Sequence, residues 1–387
     1  MPPIPEIHDS RDMFAKLMPS GDVERSATPE HLNQPGYYGL PILKRPFWKW
    51  EIALYFFFEG ISAGSHVLCS IARLTRNEKY DTIVRQGRYL SFFTMMLCPP
   101  LLIADLGRPE RFHHMLRIWK KTSPMNHGAW ALTGFGIVSS LQLALVWPAT
   151  RMPFGRALLR QLVRVLPERL VILLGLPFAL TMISYPGVLL ETTANPLWSR
   201  SNYLGPLFAA SSMSNAAAAL TLLNPGAKGH ELHHRLGRFE DISTAAEAAA
   251  LGLYVRTSRK AARPLFKGKQ KKLFLFGAIG FGMIVPAILR RSRSSVLRNV
   301  VAPLLTLAGG AALKWSITYA GQESAADSEL ANRNARTVDG RPFWGPAEDA
   351  ALPPSGRQNP GQQPPVGELP ADSGPAASKP KERAMRV

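Results

Sequence analysis

The feature that most constrains this chain is a series of apolar runs, each close to the length of a bilayer crossing, strung through its middle. They cover 52–71, about 89–104, 129–147, 170–190, 204–223, 242–255, 273–289 and 300–319. A helical span needs about 20 predominantly apolar residues, so the shorter runs must extend into their polar flanks. The sixth is the weakest, short and Ala-rich with Glu247 inside it. A disordered chain lacks such runs, and a soluble globule rarely strings so many together. The reading is an all-α integral membrane protein with eight transmembrane helices.

Composition fits once it is divided. Hydrophobic residues are 46% of the sequence and charged ones 19%, yet the mean hydropathy is only −0.03. That average mixes the apolar runs with polar, Pro-rich ends. The expected organisation is a polar tail over 1–46, a membrane domain over 47–320, and a Pro/Gly-rich polar tail over 321–387. Acidic Glu6, Asp9 and Asp12 occupy the place of a signal peptide's basic start, so the first helix is expected to direct its own insertion. The aromatic-basic girdle Phe47-Trp48-Lys49-Trp50 before it is of the kind enriched at membrane interfaces.

The net charge of +19, from 46 Lys and Arg against 27 Asp and Glu, would suggest nucleic acid in a soluble protein. Here the basic residues sit mostly in short loops, where anionic lipid headgroups are the simpler partner, and no recognition motif for nucleic acid appears. Cys69 and Cys98 both lie in apolar stretches, which leaves no disulfide framework and no Cys-based metal or iron–sulfur site.

Eight spans put both termini on one face, here side A. Loops 105–128, 191–203 and 256–272 then share side A, and 72–88, 148–169, 224–241 and 290–299 share side B. Side A carries the basic run from Arg256 to Lys272; side B answers with Arg151, Arg156, Arg160, Arg164 and Arg169, and with Arg290, Arg291, Arg293 and Arg298. The two faces nearly balance, so the positive-inside rule does not orient the protein.

An ionisable side chain at membrane depth is costly unless it faces the bundle interior, and so marks a functional position by default. The first run holds Tyr55, Glu59, Ser62 and His66 on one helical stripe, a candidate proton path. Gly60 and Gly64 lie beside it at a spacing that lets another helix approach closely. The competing account is a hydrogen-bonded contact between helices. Asp105 closes the second run, where the helix dipole disfavours a carboxylate, and Arg108 and Arg111 follow as its expected partners. The third run opens with Ser123-Pro-Met-Asn-His127, and the fourth carries Tyr185 before Pro186-Gly187, which should kink the helix there. All of these fall on side A. A quinone headgroup needs a hydrogen-bond partner at each carbonyl and an apolar slot for its tail, and Tyr185 with a nearby His or carboxylate could supply the first.

Asp-Leu-Gly-Arg-Pro at 105–109 followed by Ser-Pro-Met-x-x-Gly-x-Trp at 123–130 resembles the NrfD/polysulfide-reductase membrane-subunit family. The segments WKWEIALYFFFEGISAG at 48–64 and YPGVLLETTANPLW at 185–198 fit the same pattern, over about 45–320. The resemblance implies two four-helix bundles, no cofactor bound within the protein, and quinone exchange (menaquinone or ubiquinone) at one membrane face. It also implies docking to a ferredoxin-like iron–sulfur subunit, with a molybdopterin or other catalytic subunit beyond, in a bacterial inner membrane. Asp105, Tyr185, His127 and Arg108 are the expected quinone-site residues, and Glu59, His66 and Tyr55 the expected proton path. The weak sixth run and the long basic loop 256–272 depart from compact members of the family.

Two rival classes stand beside this reading. A haem-bearing quinol-oxidising anchor needs facing axial ligands, and only His66 of nine histidines lies well inside a run. The cluster His230-Glu-Leu-His-His234 lacks further zinc ligands. A transporter, or a structural anchor without quinone, is the other class, but the two halves show no convincing repeat. No nucleotide-binding glycine motif or nucleophile constellation appears, so the chain alone should catalyse nothing.

Overall fold

The structure is a computed structural model that describes residues 43–44, 46–146, 167–224 and 230–327. Most of both expected tails and the basic stretch Arg151–Arg164 lie outside the described residues. Every regular element among those described is helical. Eight long helices follow one another within them: α1 Trp50–Leu74, α2 Asp81–Asp105, α3 Pro124–Ala144, α4 Glu168–Glu191, α5 Leu204–Leu222, α6 His230–Ser258, α7 Leu273–Leu289 and α8 Leu297–Ala326. Four are long and apolar enough to cross a membrane: α1, α2 with its preceding turn from Glu78, α4 and α8. With no water in hydrocarbon to bond backbone groups, helices whose bonds close within the segment are the form such sequences adopt.

Helix ends follow local chemistry. Ser123 caps α3 by accepting from the Asn126 backbone N–H at 3.3 Å, with Pro124 at the first helical position. Glu191 ends α4 and accepts from the Leu204 and Gly205 N–H groups at 2.7 and 3.2 Å, so the end of one helix caps the start of the next. The weak sixth run belongs to a helix much longer than itself. Its N-terminal turns are polar, which is why hydropathy alone understates α6.

α1 is the hub of the packing. It lies against α2, α4, α5 and α8, while α3 bridges α2 and α4, and α5 also touches α4, α6 and α8. The small-residue spacing on α1 does what it predicts. A Cβ at Gly64 would stand 2.7 Å from the Ser212 carbonyl oxygen and 2.8 Å from the Ala216 Cβ, and one at Gly60 would be 3.2 Å from the Ser212 Cβ. α4 runs on through Pro186 to Glu191, and Gly187 is buried where its Cα meets the backbone of Leu204 and Gly205. The same device recurs between α7 and α8, where Gly282 and Gly309 bring the two backbones together. α7 begins in wider, i→i+5 turns over Leu273–Ile284.

Candidate functional site

The stripe on α1 is wholly interior: Tyr55 is 3% exposed, and Glu59, Ser62 and His66 are 0% exposed. Its members meet different neighbours. The Ser62 hydroxyl donates to the Ser91 carbonyl at 2.6 Å, and Ser91 pairs with Ser139 at 3.1 Å, tying α1 to α2 and α3. His66 Nε2 lies 3.2 Å from Gln142 Nε2, and the ring stands edge-on to Phe135 at 5.2 Å. Gly175 of α4 makes room for it, since a Cβ there would lie 3.0 Å from the imidazole Cε1. His66 Nδ1 has no partner.

Glu59 differs from the rest. Neither carboxyl oxygen has a hydrogen-bond partner, and the groups acting on it are the Tyr55 hydroxyl and the Lys314 ammonium. Tyr55 in turn feels Cys98 of α2 and Tyr185 of α4. Burying a charge is unfavourable unless it is paired, so an unbonded carboxyl at this depth calls for an explanation beyond packing.

The residues expected at side A gather at one end of the helices, in two groups. Asp105, half-buried, accepts from the Lys49 backbone N–H at 3.3 Å and lies within the influence of Glu51 and Tyr319. No ion pair joins Asp105 to Arg108 among the described residues: Arg108 and Arg111 are exposed, and the backbone just before α1 takes the place of the expected guanidinium. Tyr185 belongs to the second group. Its hydroxyl donates to the Pro124 carbonyl at 3.1 Å, and its ring fills the space against Gly128, where any Cβ would overlap it. His127 is exposed and stacks on Trp119 at 5.0 Å, with Trp130 edge-on to the same indole. No hydrogen bond joins Asp105, Tyr185 and His127 to one another. What they share is an end of the molecule, and the Tyr55–Glu59 pair lies beneath Tyr185.

Sequence reasoning passes over a second buried set. Lys314, midway along α8 and 0% exposed, donates to the Ser211 hydroxyl at 2.8 Å and sits 5.4 Å over the Phe208 ring. The Glu247 and Glu59 carboxylates both act on it. Towards the start of α6, Arg290 bonds Glu240 at 2.6 Å and Asp241 at 2.7 Å. The signal for Lys314 is in the sequence. It is a charge inside the eighth apolar run, and the rule that marks Glu59 marks it equally. Its partners come from α5 and α6, and their meeting depends on packing that no local pattern records.

The buried groups form one interior set. Two tyrosines, an unbonded carboxyl and the apolar side chains of Phe58, Leu101 and Leu102 lie within one packed region, and no cluster of three or more metal-ligating side chains occurs among the described residues. The sequence profile of the family described as "Polysulphide reductase, NrfD" matches residues 43–326. One component of the polysulfide reductase of Wolinella succinogenes is 27% identical over 71% of this sequence and 94% of its own length. Protein NrfD of Escherichia coli (strain K12) is 26% identical over 71% of this sequence and 95% of its own. One component of the selenate reductase of Mesobacillus selenatarsenatis is 28% identical over 28% of this sequence and 25% of its own.

Proposed function

Because this chain belongs to the NrfD polysulphide reductase family, we propose that it is the quinone-exchanging membrane subunit of a bacterial respiratory oxidoreductase. In this reading all eight long helices cross the inner membrane, as two sets of four: α1–α4 and α5–α8. An iron–sulfur partner docks at the end that holds Asp105 and Tyr185, with a catalytic subunit beyond it. Two of the relatives are named as components of reductases, which supports a role as one part of a larger complex.

The observation that carries the reading is Glu59. It is a carboxyl buried without a hydrogen-bond partner, beside Tyr55 and beneath Tyr185. Quinone chemistry moves two electrons and two protons, so a site for it needs hydroxyls that can bond to carbonyl oxygens and a nearby group that exchanges protons. Tyr185 and Asp105 serve the first need at the helix ends, with His127 and Arg108 at the exposed rim. Tyr55 and Glu59 serve the second, and His66 continues the stripe further along α1. The protein itself supplies position, a dry surround and proton exchange; the electrons pass to or from the partner.

The test is turnover of quinone analogues by the purified complex with its iron–sulfur partner. Wild-type complex should turn over; inactivity toward every analogue would end the proposal. Asp105→Asn should assemble normally and lose roughly ten- to a hundred-fold in turnover, the scale of one lost hydrogen bond to a charged group. Full activity in that variant would leave Asp105 as a helix-end acceptor for Lys49 only.

A further inference from the structure

We propose that the protein holds a second proton conduit, which leaves α1 at Glu59, crosses to α8 at Lys314, and runs between α5, α6 and α8 to Arg290 at the far end. It rests on the quinone reading, which supplies the driving reaction, and it differs from the α1 stripe in both route and residues.

Three aligned stripes define it. On α8, Thr306, Gly310 and Lys314 follow one another at intervals of four residues; on α6, Glu240, Thr244 and Glu247 fall at four and three; on α5, Ser211 and Ser214 lie one turn apart. Hydrogen bonds link the stripes across the helices. Lys314 donates to Ser211 at 2.8 Å, with the Glu247 carboxyl within reach of the same hydroxyl. Ser214 and Thr244 pair at 3.2 Å, and the Thr244 hydroxyl accepts from Arg290 at 3.4 Å. Thr306 donates to Glu240 at 2.7 Å, and Arg290 Nη1 reaches the same carboxylate oxygen at 2.6 Å. From Lys314 back to Thr306 is about 12 Å at 1.5 Å per residue.

The ends differ in a way that suits transport. At the inner end Lys314 is the cation that acts on both Glu59 and Glu247. The Asn215 amide, buried against Gly310 in the same layer, has a nitrogen without a partner. At the outer end the Asp241 side chain is 39% exposed while Arg290, to which it is bonded, is 4% exposed. A purely structural ion cluster would close on itself. This one extends from the middle of a helix to water, and its members are mostly side chains that both donate and accept. The Lys314 ammonium first gives a proton to the Glu247 carboxylate, from which it leaves by the Thr244 hydroxyl and the Glu240 carboxylate toward Asp241. Protonated Glu59 then gives a proton to the neutral amine and restores the ammonium, while Arg290 stays charged throughout as the fixed partner of Glu240 and Asp241.

The test is proton displacement per electron by the complete complex in liposomes, with the membrane potential collapsed and a protonophore control. Wild-type complex should displace more protons than the quinone chemistry alone accounts for. Lys314→Arg keeps the positive charge but holds its proton at any working pH, so a structural ion pair survives it and a relay does not. Glu247→Gln keeps hydrogen bonding without titration. Both variants should keep quinone turnover, with displacement falling to the value set by the chemistry. Should Lys314→Arg fail to assemble, Ser211→Ala replaces it, and its displacement should fall in the same way. Unchanged displacement in variants that assemble would overturn the conduit. So would a wild-type complex that turns over quinone and displaces no excess protons, which leaves the quinone reading intact. A wild-type complex inactive toward quinone removes both.

Discussion

Glu59 is the residue on which two accounts of α1 divide. Tyr55, Ser62 and His66 each have a role in packing or bonding, but the Glu59 carboxyl is 0% exposed, makes no well-formed hydrogen bond, and has only the Tyr55 hydroxyl and the Lys314 ammonium acting on it. Glu59→Gln keeps its shape and its capacity to bond, yet cannot carry a proton. It should slow quinone-linked proton uptake at least about ten-fold while the complex assembles, read as uptake in liposomes. Normal uptake would leave α1 with a structural stripe. Gly128 offers an independent probe, because its missing side chain is what seats Tyr185. Gly128→Ala should displace that ring by a fraction of an ångström to an ångström, and a misplacement of that size costs up to about a hundred-fold. Turnover should fall without loss of the complex, and a variant with full turnover would separate Tyr185 from the site. The positions of Asp105, Tyr185 and His127 near one end were legible in the sequence, because they follow from counting runs. Their separation into two groups was not, since it depends on which helix each side chain meets.

At the scale of helices, most of the architecture is written in the sequence. The eight apolar runs correspond one for one to the eight long helices, and the close approach of α1 to α5 follows from Gly60 and Gly64. Where hydropathy failed, it failed for a physical reason: α6 places Glu240, Thr244 and Glu247 inward against other polar groups, so its buried face is itself polar. Without a hydrophobic drive between helices in lipid, close backbone packing and interhelical bonds must hold them together. Gly64→Leu should therefore cost more than an ordinary surface change, on the order of 1–3 kcal/mol as overpacking. It should appear as a lower melting midpoint and less intact complex after detergent extraction. A midpoint equal to wild type would show that α1 and α5 can part there freely. The opposite end of the first four helices is held by charge: Arg88 of α2, 3% exposed, bonds Glu168 of α4 at 2.6 Å, and Arg73 of α1 grips the same carboxylate at 2.8 Å.

For the whole molecule, the eight crossings proposed above would put the two ends of the described region on one face, and this can be checked directly. Reporter fusions before Phe47 and after Asp327 should score alike, and a reporter in the loop between α1 and α2 should score opposite. Unlike scores at the two ends would mean an odd number of crossings and would reassign the faces of α5–α8. The ends are also joined. Trp48 stacks on Trp198 at 5.3 Å, and its carbonyl accepts from Gln322 at 2.5 Å. The Trp198 indole donates to the Ile317 carbonyl at 2.9 Å, and Asn195 reaches the Gly321 carbonyl at 2.7 Å. The start of α1, the turn after α4 and the close of α8 thus form one clasp. A carrier that works by rocking its halves must part them alternately at each face. Here stacked indoles and buried bonds join the first and second halves of the chain at one end, so a rocking motion would have to break that clasp before cargo could pass there.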